Sequence, residues 1–393
     1  MAKPARDQRL DVVKGILQLS IFAKHFAYSF VGGWVIHSTW GFSDSSELFV
    51  LLSGFTLGSV FALKQGGDGW GGAAWDMLGR AARLYRTHML VFALFGLMIA
   101  IACHTFMSGE SDRMGWTRVL ATPLEVLPGI LLMVHQPVFM GILPTFIWGM
   151  LLLPGFAWLW ARVGERAILL PLGAYTLAQG TGWGVTGVEF DPLAWQLLFL
   201  GGAWLGRRAL LRGQALALPR GLDRAVTVAA VALLAGAALV RLAQYGALPA
   251  VAAFGEPGWL ADKARLPVAA LLHAMALAWV VARFVPREAG WMRRHAGAWL
   301  ATIGRHSLEV FCLGLFLSWG ASALLERAPG SWALDLGLTA AGAGVLGAWA
   351  AWLSRRKMAE RGGQARLAGI PPMNGDLGGH GGTIATNPGV RQR

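Results

Sequence analysis

The sequence predicts an all-α integral membrane protein, a polytopic bundle of about ten transmembrane helices with the N and C termini in the cytoplasm. Three observations carry that reading. The chain is 55% hydrophobic and only 14% charged, with a mean hydropathy of +0.51, which excludes an ordinary soluble globule. Apolar stretches of about twenty residues recur along it, long enough to span as helices, and the alternation of barrel strands is missing. With the N-terminus inside, 27 of the 34 Lys and Arg fall on cytoplasmic segments, which sets the orientation. That bias also accounts for the net charge of +13 and leaves little for a nucleic-acid partner to explain.

Taken in order, the first span (12–32) follows a basic start and holds Lys14, Lys24 and His25. No small-residue cleavage site stands out, so it reads as an uncleaved span rather than a signal peptide. Spans 42–63 and 87–107 flank a Gly-rich cytoplasmic loop, 65–79. The far-side segment 108–140 contains an apolar piece broken by Pro123, Pro128 and Pro137, expected to be interfacial or re-entrant. Spans 141–161, 166–182 and 193–207 lead into a basic loop, 207–224, and spans 225–243, 266–283, 307–325 and 333–354 complete the set. A single membrane domain, 1–357, is followed by a tail, 358–393, whose Gly, Pro, Asn and Arg show no periodicity and are expected to be disordered. Trp34, Trp40, Trp116 and Trp183 fall near far-side ends and read as interfacial anchors. Cys103 and Cys312 lie in spans and read as packing residues, with no disulfide framework or metal site implied.

Ionisable groups inside apolar segments are expensive and point to function. Lys14 and His25 are eleven residues apart, which at about 100° per residue returns to within roughly 20° of the same direction, with a rise of about 16 Å. Imidazole titrates near neutrality and suits proton transfer. Asp11 is three residues from Lys14 and can pair with it, or both can be ordinary features of a span's start. Glu47 lies about six residues inside the second span, at a depth close to that of His25, so adjacent helices could join carboxylate and imidazole. Asp44 or Ser43 could cap that helix, and Ser53-Gly54 could permit close helix packing. Arg80, Arg83 and Arg86 repeat every three residues and fan their forks across one helix start, a phosphate-binding pattern or a positive-inside cluster. Arg305 and Glu309 can pair in a helix start at Ser307, and His135-Gln-Pro could shape an acceptor cleft or satisfy irregular backbone. No Walker loop, dinucleotide fingerprint, zincin motif or nucleophile elbow occurs.

The segments RLDVVKGILQLSIFAKH, WGFSDSSELFVLLSGF, RAARLYRTHMLVF, HQPVFMGILP and GRHSLEVFCLG together resemble the OpgC proteins, within the wider group of transmembrane acyltransferases called acyltransferase-3. The similarity runs through most of residues 6–325. It implies an O-acyltransferase of the bacterial inner membrane that succinylates periplasmic glucan, with acyl-CoA (succinyl-CoA in this family) as donor substrate and no bound cofactor. The group's basic residue ahead of a first-span His falls on Lys14 and His25, and its Arg-x-x-Arg pair on Arg80 and Arg83. Lys14 departs from the commoner Arg, keeping charge but losing the bidentate fork, and Lys24 stands where a neutral polar residue is expected. The expected mechanism has His25 as general base oriented by Glu47, with direct transfer and an acyl-histidine route both open. Donor phosphates are expected on Arg80, Arg83, Arg86 and Lys14, with Asp11, Asp44, Ser53, Arg305 and His135 in support. Other envelope glycans or lipids as acceptor, and a non-enzymatic carrier or flippase, are the competing readings.

Overall fold

The computed structural model describes residues 7–105, 107, 109–244 and 262–367. It is all-helical, with no strand among them. Contacts divide the chain into two units, Met1–Ala350 and Ala351–Arg393. Among the described residues, five helical stretches are long and apolar enough to cross a membrane: Ser45–Thr105, Ile142–Thr181, Arg220–Gln244, Ser307–Leu325 and Trp332–Glu360.

Helix α1 (Gln8–Lys24) is capped by the Asp7 side chain, which accepts from the Arg9 backbone N–H at 3.1 Å. The continuous helix expected to residue 32 stops at His25. Tyr28 then takes a left-handed conformation (φ 65°), followed by a π turn at Val31–Val35. Backbone freed by this break is satisfied by neighbouring helices. Ala27 N–H donates to Ser322 Oγ at 2.9 Å and Val31 N–H to the buried Asp335 at 3.0 Å.

Helix α2 (Ser45–Thr105) covers the second and third expected spans and most of the segment expected to be a loop between them. Gly69 alone departs from helical geometry, at φ 73°, a conformation that glycine adopts without steric cost. The flanking turns stay helical because Ala73, Ala74 and Met77 are buried and Asp76 joins Lys64 (2.6 Å) to Arg80 (2.8 Å). Short helices α3 (Glu110–Arg113), α4 (Thr117–Ala121) and α5 (Pro123–Leu131) then fold back along α2. Trp116 inserts against Phe92 and Phe95, and Tyr85 Oη donates to the Leu131 carbonyl at 3.0 Å. Tyr85 lies twenty residues, about 30 Å, from the Thr105 end, so the segment descends along α2 as a re-entrant piece would. Trp116, fully buried, is a core residue and not an interfacial anchor, because its ring fills the space over Gly96.

Helices α6 (Ile142–Val163), α7 (Leu169–Thr181) and α8 (Pro192–Arg212) complete the wall around α2. The α2–α8 crossing is set by small residues. A Cβ on Gly54 or Gly58 would overlap the backbone of Phe199 or Ala203, and one on Gly202 or Gly206 the backbone of Leu51 or Phe55. Ser53 is half-buried beside Gly54. Helices α9 (Arg220–Gln244) and α10 (Val268–Phe284) pack on each other, with Trp279 Nε1 donating to Thr227 Oγ1 at 3.1 Å. Helix α11 (His295–Arg305) crosses α1 closely, since a Cβ at Gly15 or Gly304 would overlap the Leu300 or Asp11 carbonyl. Ser307 is the first residue of α12 (Ser307–Leu325) and not its cap. Cys103 and Cys312 are half-buried against the core. Helix α13 (Trp332–Leu367) continues through the expected start of the tail, because good helix formers and an Arg356–Glu360 pair (3.0 Å) carry it on. The rest of the expected tail, from 368, lies outside the described residues.

Candidate functional site at the end of the first helix

Ending α1 at His25 leaves the imidazole where four connections converge. A cavity of about 190 Å³ is lined by Lys24 and His25 of α1, by Asp44 and Ser46 at the start of α2, by Phe139 after α5, by Glu189 before α8 and by Lys263 before α10. His25 Nδ1 is buried without a hydrogen-bond partner, and its ring lies 4.4 Å from the Phe139 ring. Phe139 holds that position from a left-handed backbone, φ 74°, an unfavourable conformation for a bulky residue and a feature that clusters at functional sites.

The turn into α2 places the carboxylates. Asp44 Oδ1 accepts from Ser46 N–H at 2.7 Å and from the Ser46 hydroxyl, and Glu47 Oε2 accepts from Asp44 N–H at 2.8 Å. This is a reciprocal capping box, in which the cap and the residue three positions on each satisfy an orphan donor. Glu47 is therefore turned to its own helix start. The expected Glu47–His25 pairing gives way to Asp44, which shares the cavity with the imidazole. Ser43 is freed from capping, and its hydroxyl pairs with His273 Nδ1 at 2.7 Å. Arg241 of α9 donates to the Gly41 carbonyl at 3.1 Å, so α9 and α10 together hold the strap that carries Asp44.

Lys263, which belongs to no recognisable motif, forms an ion pair with Asp44 and lies 5.4 Å from the Phe190 ring centroid. Burial by itself would raise the Asp44 carboxyl. The Lys263 ammonium, with side-chain hydrogen bonds from Glu47, Lys263 and Ser46, instead holds it well below the usual carboxylate range. Burial would likewise lower the Lys263 ammonium, but the facing charges of Asp44, Glu47 and Glu189 raise it above its ordinary value. Both groups are thus charged across the neutral range. Gln136 Oε1 accepts from Glu189 N–H at 2.8 Å and ties two walls of the cavity together. Lys24, the last residue of α1, lines the same cavity.

The remaining expected residues lie elsewhere. Lys14 donates to Thr56 Oγ1 of α2 at 3.0 Å, and Asp11 is buried against α11. Arg80 is held by Asp76, while Arg83 and Arg86 are exposed on the same helix. Arg305 donates to Thr302 Oγ1 at 2.7 Å, and the neighbour of Glu309 is His306 Nδ1 at 3.9 Å. His135 packs beside Gly129 with its Nε2 buried and unpartnered, and the broken segment reaches the cavity through Val138 and Phe139 instead.

The arrangement offers an unpaired imidazole, a fixed ammonium and a carboxylate around a space the size of a few heavy-atom groups. That is sufficient for proton abstraction from a hydroxyl and for stabilising a developing oxyanion. Compared with known proteins, residues 6–358 match the family model described as OpgC protein, so the chain belongs to the OpgC family. No curated protein and no solved structure matches it.

Proposed function

We propose, starting from membership of the OpgC family, that this protein is an O-acyltransferase of the bacterial inner membrane. It moves an acyl group, succinyl in the first instance, from cytoplasmic acyl-CoA to a hydroxyl of a periplasmic glucan. The observation that carries the site is the buried, unpartnered Nδ1 of His25 in a cavity shared with Asp44 and Lys263. An imidazole left without a partner in a polar cavity is poised to take one from a substrate.

In this reading His25 removes the proton of the acceptor hydroxyl as its oxygen attacks the thioester carbonyl. The C–O bond forms, the C–S bond breaks, and the imidazolium returns its proton to the departing CoA thiolate. Lys263 is the cation proposed to meet the carbonyl oxygen as charge develops, with Asp44 holding that ammonium in place and Lys24 on the same cavity wall. Lys14, Arg80, Arg83 and Arg86 are the proposed contacts for donor phosphates, with Arg83 and Arg86 already presented to solvent.

The test uses purified full-length protein, radiolabelled succinyl-CoA and periplasmic glucan. The wild type is expected to move label to the glucan, and His25→Ala to lose that transfer at least about a hundredfold while keeping its elution profile and melting behaviour, from general-base losses of ~10²–10⁴. Full transfer in the variant removes the mechanism. Label that stays on CoA with the wild type favours a carrier instead.

A further inference from the structure

Apart from the His25 cavity, a second and larger space, about 460 Å³, runs between α1, α2, α8, α10 and the N-terminal end of α9. Its interior is apolar, with Val13, Leu51, Phe55, Leu205, Met275 and Ala278 among its walls. Along α10 the lining runs from Met275 to Arg283, eight residues or about 12 Å, which is most of one leaflet of a hydrocarbon core about 30 Å thick. One end is ionic, with Asp7, Arg9, Asp223, Arg283 and Arg287. Three guanidiniums face two carboxylates there. Arg9 is spent on Asp7 and on the Val285 carbonyl (2.9 Å) at the end of α10. Arg283 and Arg287 each meet one carboxylate (3.2 and 3.8 Å), Arg287 also donates to the Gly213 carbonyl at 3.4 Å, and both are more than half exposed.

We propose that this groove is a binding site for one anionic membrane phospholipid, with an acyl chain between α2, α8 and α10 and its phosphate on Arg283 and Arg287. Three features favour a lipid over a phosphorylated cosubstrate. Apart from the ionic end, the only polar side chains on the walls, among the described residues, are Gln214 and Trp279, whose indole N–H is already given to Thr227; that suits an alkyl chain and offers little to the two amides of a pantetheine arm. The depth is that of one leaflet. The guanidinium excess lies at the same end as the groove's ionic lining, and Arg recognises phosphate through paired N–H donors.

The experiment is native mass spectrometry of the full chain in detergent, with dioleoyl-phosphatidylglycerol and dioleoyl-phosphatidylcholine titrated as probes. Ala278→Trp and Ala209→Trp fill the groove from half-buried small residues on two different helices, so that misfolding of one leaves the other to decide. The wild type is expected to retain one phosphatidylglycerol, at least about tenfold more tightly than phosphatidylcholine. Both Trp variants are expected to lose that copy, and the double variant Arg283→Glu with Arg287→Glu to lose the headgroup preference while still admitting a chain. Equal retention by wild type and both folded Trp variants would place the lipid elsewhere and overturn the proposal. Displacement of the retained lipid by equimolar CoA lacking an acyl chain would also overturn it, by making the rim a nucleotide site.

Discussion

Breaking the Asp44–Lys263 pair tests whether the His25 cavity is held by one electrostatic link between distant connections. The two residues are 219 positions apart in the chain, and their side chains are 25% and 43% exposed. Two unit charges about 4 Å apart at an effective dielectric near 20 attract by about 4 kcal/mol, and most of that is offset by desolvation. A fully exposed pair is worth about 0–1 kcal/mol, whereas removing one partner of a fully buried pair costs about 3–5 kcal/mol. With the intermediate exposure seen here, solvent screening brings the expected coupling to about 1–2 kcal/mol, close to a tenfold change in the folding equilibrium. Asp44→Asn and Lys263→Met, singly and together, give a double-mutant cycle, read by SDS-titrated unfolding in mixed micelles. Asn keeps the cap on Ser46, so the cycle reports the charge and not the helix start. Singles whose costs add to within ~0.5 kcal/mol would refute the link. The pH dependence carries the sign. Asp44 is held low, so its contribution is complete above its unfolded value near 3.9 and fades as pH falls toward its folded value. Lys263 is held high, so its contribution is complete below about 10.4 and fades as pH rises through its folded value. The wild-type advantage over the double variant is therefore expected to be flat from about pH 5 to 9 and to shrink on both sides.

Further expectations follow from the same geometry. Gly202→Val should destabilise the protein by about 1–3 kcal/mol through overlap with the Leu51 carbonyl, whereas Gly201→Val, with open space around it, should be nearly neutral in the same unfolding assay. His273→Ala should lower acyl transfer several-fold with little change in melting, because it releases Ser43 and loosens the strap bearing Asp44; unchanged turnover would separate that strap from the site. Lys263→Arg should keep more than half of any stability lost in Lys263→Met while failing to restore full turnover, if position of the cation and not charge alone sets the rate. Arg83→Ala with Arg86→Ala should raise the apparent Michaelis constant for acyl-CoA about tenfold at nearly constant turnover number, measured in steady-state transfer.

Much was legible in the sequence because it depends on local or compositional rules. Apolar length and the absence of strand alternation determined an all-helical protein, and among the described residues five helical stretches are long and apolar enough to cross a membrane. The Asp44-Ser-Ser-Glu47 run is itself a capping signature, and reading it that way would have assigned Glu47 to the helix start rather than to His25. Prolines at 123, 128 and 137 marked the broken segment that folds back along α2. His25 stood out because an imidazole in an apolar run has few inexpensive uses.

What only the tertiary structure decided is where the first helix ends and what meets it there. No local rule stops α1 at His25; Ser322 and Asp335, about 300 residues away, accept the backbone N–H groups that the break releases. Lys263 carries no motif, and its place beside Asp44 depends on α9 and α10 delivering their connection over the α2 start. Sequence patterns report periodicity and length, which are properties of neighbours in the chain. A charge pair across 219 positions is a property of packing, and packing alone turned one buried imidazole into a cavity.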